Sequence, residues 1–79
     1  SSEAIISIYP NPSDGIFTVS AKDAVIEYGA LYSVNGELLQ RNAYHANEIT
    51  IDLSEYATGS YLLYLTTESQ TKIFKLLKH

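Results

Sequence analysis

The chain contains no cysteine, no methionine and no tryptophan. Without cysteine there is no disulfide framework and no thiolate metal site, so a packed core must hold the fold together. The absence leaves the redox compartment open, because an exported domain with enough core needs no bridges. A chain with no methionine, even at position 1, reads as a piece of a larger protein, with residues 1–4 as linker or vector remnant. Cations are scarce: five lysines and arginines stand against nine acids, for a net charge of −4. They are also unevenly placed. All nine acids lie in residues 1–71 with only Lys22 and Arg41, while Lys72, Lys75 and Lys78 crowd the last eight residues. An acidic body lacks the clustered basic side chains that bind phosphate backbones, so nucleic acid is not an expected partner. No apolar run nears the ~18 residues of a membrane-spanning helix. The N-terminus shows no basic region followed by an apolar core, so any export signal is expected upstream.

What remains is a short chain rich in strand formers. Its 79 residues fit one domain, residues 5–79, and 46% of them are hydrophobic, including seven tyrosines and two phenylalanines. That suits one thin core rather than disorder. Short β-prone runs alternate with turn signals, and no run keeps a helical period. Ala4–Tyr9 is the first, closed by Pro10-Asn11-Pro12-Ser13-Asp14-Gly15, a corner stiffened by two prolines. Ile16–Ser20 follows, with Ala21-Lys22-Asp23 as a loop. Val25–Val34 is apolar on both faces, as a central strand would be, and Gly29 within it signals a bulge or a close backbone approach. Asn35-Gly36 suits a two-residue type I′ turn into Glu37–Arg41. Asn42–Asn47 reads as a looser connection. In Glu48–Leu53 the residues Ile49, Ile51 and Leu53 share one face. Ser54–Gly59 forms a tight corner with room for one helical turn. Ser60–Thr67, with Tyr61, Leu63 and Leu65 inward, and Thr71–Lys78 complete the set, joined by Glu68-Ser69-Gln70. In the last run Phe74 and Leu76 share one face, Ile73 and Leu77 the other. Seven short, mostly antiparallel strands predict an all-β sandwich with Greek-key wiring.

The chain is poor in chemistry. Its histidines are His45, in an expected loop, and His79, the last residue, which reads as native or as a tag remnant. Neither has the nucleophile and orienting partner that a triad requires. Asp52 and Glu55 are close in sequence but have little room to straddle a substrate. Asn11, Asp14 and Asp23 do not make a ligand-dense calcium loop. No glycine-rich phosphate loop occurs, and no cofactor or metal is expected. Tyr28, Tyr32 and Tyr64 could form an outward recognition face, though tyrosine is also simply a good strand residue.

Four ordered blocks carry more. They are Tyr9-Pro10-Asn11-Pro12-Ser13-Asp14-Gly15 with Phe17 and Val19; Tyr32-Ser33-Val34-Asn35-Gly36 with Leu38 and Leu39; Ile51-Asp52-Leu53-Ser54 through Gly59 and Tyr61; and Lys72-Ile73-Phe74-Lys75-Leu76-Leu77-Lys78. Together, from Ile5 onward, they resemble the type A C-terminal sorting domain of proteins exported by the type IX secretion system of the Bacteroidetes. The resemblance implies a seven-stranded immunoglobulin-like β-sandwich that addresses its cargo and catalyses nothing. It implies recognition by the outer-membrane translocon and removal by a sortase-like cysteine peptidase. It also implies passage through the periplasm to the cell surface or the medium. On this chain the residues expected to be read are Lys72, Ile73, Phe74, Lys75, Leu76, Leu77 and Lys78. Tyr9, Pro10, Asn11, Pro12, Gly15, Asn35, Gly36, Asp52 and Gly59 are expected to be structural. A strand with an open edge, guarded only by lysines, would also permit pairing with a receptor strand or with a second copy. A carbohydrate-binding module and an Ig-like spacer of a secreted enzyme are the competing expectations.

Overall fold

The structure, a computed structural model, describes residues 5–68 and 70–79. The expected linker at residues 1–4, the start of the first strand at Ala4 and the middle of the Glu68–Gln70 turn lie outside the described residues. Seven strands run in chain order: β1 Ile5–Tyr9, β2 Ile16–Lys22, β3 Ile26–Ser33, β4 Leu38–Ala46, β5 Glu48–Asp52, β6 Gly59–Thr67 and β7 Thr71–Lys78. They form one sheet of order β1-β2-β5 and another of order β4-β3-β6-β7, with every strand pair antiparallel. Non-consecutive neighbours, β2 with β5 and β3 with β6, give the Greek-key wiring of an immunoglobulin-like sandwich.

Alternation decides what fills the space between the sheets. Phe17, Val19 and Ala21 of β2 and Ile49 and Ile51 of β5 face Leu31 of β3, Tyr61, Leu63 and Leu65 of β6 and Leu76 of β7. Leu53, just past β5, is fully buried among them. Truncating any one of the buried leucines to alanine is expected to cost about 2–5 kcal/mol, a large share of the stability of a domain this small. The inward sets expected for Glu48–Leu53 and Ser60–Thr67 are therefore the observed ones, and Phe74 and Leu76 are the inward pair of β7.

Four local expectations change. The strand expected to stop at Ser20 runs on to Lys22, because Ala21 pairs with Ile6 and is buried. Asn42–Asn47 is not a loose connection: β4 continues to Ala46 and pairs along β3, so His45 sits on a strand. Asparagine, alanine and histidine are weak strand formers, and tertiary packing overrides them. The Tyr44 ring lies over Gly29, where an added Cβ would stand 2.9 Å from Tyr44 Cε2. Gly29 thus marks a close approach, while the bulge of β3 lies at Ile26–Tyr28 and turns Tyr28 outward.

The Asn35-Gly36 turn forms where expected but with another geometry. Gly36 has φ +89°, whereas Asn35 does not share a positive φ, as type I′ would require. The loop has three residues: Ser33 N–H donates to Glu37 O (2.9 Å) and Gly36 N–H to Ser33 O (2.9 Å). Ser33 Oγ accepts from both Asn35 N–H and Glu37 N–H, which favours the longer loop. Ser54–Thr58 makes a turn closed by Tyr56 N–H to Leu53 O (2.9 Å), and no helical turn forms there.

Candidate functional site at the first corner and the last strand

β7 ends one sheet, so its outer side faces no other strand. Half of that side is nevertheless occupied. Asn11 Nδ2 donates to Lys75 O (2.9 Å), and Asn11 Oδ1 accepts from Leu77 N–H (3.0 Å). One primary amide thereby presents the same donor and acceptor that a neighbouring strand would. Ser13 continues the pairing with its backbone: its N–H donates to Leu77 O (3.0 Å), and its carbonyl accepts from His79 N–H (3.0 Å). Ser13 and Lys78 form the parallel bridge in an otherwise antiparallel fold.

The corner has the shape needed to reach β7. Both Tyr9-Pro10 and Asn11-Pro12 are cis. Ser13 is buried, and its hydroxyl donates to Ile16 O (2.6 Å) and accepts from Gly15 N–H (3.2 Å). Gly15 (φ +156°) lies against the next corner, where a Cβ would meet Ser54 Cα at 3.2 Å, and its carbonyl accepts from Leu53 N–H (2.7 Å). A larger residue there would push the two corners apart.

The Asp52–Gly59 block closes the same seam from the other side. Lys78 Nζ donates to Tyr56 O (2.5 Å) and Ser54 O (3.3 Å), capping carbonyls that the turn leaves without strand partners. Asp52 Oδ1 accepts from Ser54 N–H (2.8 Å). Hydrogen bonds from the Ser54 side chain and backbone, with Lys78 nearby, hold the Asp52 carboxyl below its usual value of 3.8. Asp52 is thus tied to Ser54 rather than paired with Glu55 as an acid–base couple. Tyr61 Oη reaches Ala57 O (2.5 Å), fixing the corner to the core. Gly59 (φ +144°) opens β6 opposite Lys78.

Three of the four blocks seen in the sequence therefore meet at one edge, although the residues joined across it are 64 and 66 positions apart. The fourth does not join them: Gly36 has nothing within 4 Å of an added Cβ, and the hairpin tip is exposed. No signal in the sequence couples Asn11 to β7. Its use as a strand mimic, the burial of Ser13 and the anchoring of Lys78 appear only in the fold.

The seven tail residues separate into two groups. Leu76 is fully buried, Phe74 packs against the core, Lys72 is half-buried and Lys78 is engaged with the Ser54–Tyr56 turn. Ile73 (56% exposed), Lys75 and Leu77 (42% exposed) point outward. The expectation that charge alone guards the β7 edge is corrected: the first corner closes its C-terminal half. By the two-residue period, the outward backbone groups left open among the described residues belong to Thr71, Ile73 and the Lys75 N–H.

His79 lies beside Asp14, Nε2 to Oδ1 at 3.0 Å, and His45 beside Glu27, Nδ1 to Oε1 at 3.8 Å, both at the surface. Among the described residues no group of three or more histidines, cysteines or acids is placed to hold a metal ion. Among the described residues no helix is long and apolar enough to cross a membrane.

The fold and this edge define an immunoglobulin-like module in which three of the four sequence blocks close one sheet edge. Residues 7–79 match the family described as the secretion system C-terminal sorting domain, and the chain belongs to that family. No curated protein matches the chain. The domain is a non-catalytic sorting signal of the type IX secretion system, and it serves export.

Proposed function

We propose that the outer-membrane translocon reads the open half of β7, with Ile73 and Lys75 as the residues it touches. Lys72, Phe74, Leu76 and Lys78 then act indirectly, by holding the strand in place. The observation that carries this reading is the division of β7 into a closed half, bonded to Asn11 and Ser13, and an open half beginning at Thr71. A receptor strand laid along Thr71–Lys75 would gain backbone hydrogen bonds, and the exposed side chains would select for it. Electrostatic selection falls chiefly to Lys75, since the Lys78 ammonium is already held by two carbonyls. The same short edge is where a homodimer would pair, if one forms.

In this reading residues 5–79 are the sorting domain, and residues 1–4 belong to the linker. The domain crosses the periplasm folded. A sortase-like cysteine peptidase then cuts upstream of it, leaving the cargo at the cell surface or in the medium.

The test is export of a periplasmic reporter fused to the domain, in a Bacteroidetes host with an intact type IX system. Ile73→Asp with Lys75→Glu is expected to abolish export while the purified domain keeps its melting temperature. Export that survives this double change would overturn the assignment. A Lys78→Ala domain should lose stability first, and export only as far as the fold loosens.

A further inference from the structure

The outward face of the four-stranded sheet has a dip with a simple origin. Across β4, β3 and β6, Arg41 pairs with Ala30 and Ala30 with Tyr64, while Tyr28 and Tyr32 flank Ala30 along β3. A methyl group thus sits at the centre of four large side chains, and the result is an open depression of about 370 Å³. That lies within the ~300–1,000 Å³ of small-molecule sites. Tyr28 and Tyr32 stand four residues apart, so roughly 13 Å of strand separates the two walls.

The lining has a definite chemistry. Tyr32 and Tyr64 meet edge to face, with centroids 4.9 Å apart and ring planes at 63°. This contact fixes both rings, so neither must be ordered on binding. The Arg41 guanidinium carbon lies 5.9 Å from the centre of the Tyr28 ring, and both residues line the depression. At one end the Thr66 and Thr71 hydroxyls hydrogen-bond each other at 3.1 Å. No carboxylate lines the depression, and Arg41 makes no ion pair among the described residues. The unpaired guanidinium, with no carboxylate in the lining, favours an anionic guest locally, against the weaker and more distant repulsion of a chain of net charge −4. Ring faces with fixed hydroxyls around them favour a flat, polyhydroxylated one.

We infer that this face binds a saccharide carrying an acidic group, its sugar ring stacked on the tyrosines and its carboxylate on Arg41. Guanidinium and carboxylate match as a two-point pair, and the hydroxyls of Tyr28, Tyr32, Tyr64 and the threonine pair serve the sugar hydroxyls. The inference stands apart from sorting: the depression shares only Thr71 with the open half of β7, and the rest of its lining lies on β3, β4 and β6.

The test is an amide-shift titration of the isotope-labelled chain with digalacturonic acid, and separately with cellobiose and with sodium sulfate. Digalacturonic acid is expected to move the amides of Ala30, Arg41 and Tyr64 along one saturable curve. Ala30→Leu fills the floor and should abolish those shifts, and Arg41→Gln should weaken binding roughly tenfold. No saturable shift with digalacturonic acid overturns the inference. Equal shifts with cellobiose remove the acidic group and overturn it too, and sulfate alone reproducing the curve reduces the site to a simple anion contact. Should Ala30→Leu fail to fold, Arg41→Gln decides, and undiminished affinity in that variant overturns the assignment.

Discussion

Two turns of this domain announce themselves equally clearly in the sequence and behave differently in the fold. The Pro10–Gly15 corner docks on β7 through Asn11 and Ser13 and on the next corner through Gly15. The Val34–Gly36 tip is closed by bonds among its own residues, to Ser33 and Glu37, and projects into solvent. The first turn joins distant parts of the chain, whereas the second only reverses it. A strong turn signal therefore reports local backbone geometry and says nothing about whether the turn carries long-range contacts.

That contrast is open to direct challenge. The largest difference is expected at the glycines: Gly15→Ala combines an unfavourable φ with the nearby Ser54 backbone and should cost about 2–3 kcal/mol in urea unfolding. Gly36→Ala, with open space around it, should cost about 1 kcal/mol. Equal costs would mean that contact with Ser54 contributes little. Next comes Asn11→Ala, which removes both side-chain bonds to β7 and should cost about 1.5 kcal/mol. Asn11→Asp should do no better, because a carboxylate oxygen would then face the Lys75 carbonyl. Amide exchange at Leu77 should quicken in both variants. Asn35→Ala is expected to change stability by less than about 0.5 kcal/mol, since its side chain makes no bond to a distant strand.

The smallest effect concerns pH. The Asp52 carboxyl is depressed in the folded state, so its contribution is complete above the unfolded value near 3.8 and fades as pH falls through the folded one. A carboxyl-carbon titration should place its midpoint below 3.8 in the wild type. Lys78→Ala should raise that midpoint only slightly, because the Ser54 hydrogen bonds outweigh the lysine charge. A midpoint at or above 3.8 would show that Ser54 does not hold the carboxylate in solution.

Much of the sandwich could be read directly from residue order. Alternation in Glu48–Leu53 and Ser60–Thr67 assigns the core face, and Gly29 signals a close approach or a bulge, of which the fold uses the first. The errors have a common cause. Asn42–Asn47 reads as a loop on intrinsic preference alone, which leaves out β3, whose bare Gly29 accommodates the Tyr44 ring. Asn-Gly favours a two-residue turn by itself, whereas the Ser33 hydroxyl accepts from two backbone donors of a longer loop. In the tail, alternation alone puts Phe74 and Leu76 on one face and Ile73 and Leu77 on the other, and the fold adds which face is inward. The resemblance identified the family, and it could not divide seven tail residues into exposed and anchored sets.

By itself the sequence determined the strands, most of the inward faces and the places where the chain turns, because each depends on side chains a few residues apart. The tertiary structure alone decided that Asn11 would substitute for a strand beside β7 and that Lys78 would be held by the Ser54–Tyr56 turn. An amide can pair with any open backbone edge it meets, and a lysine with any free carbonyl. Which edge and which carbonyl follow only once the two sheets have closed on their shared core.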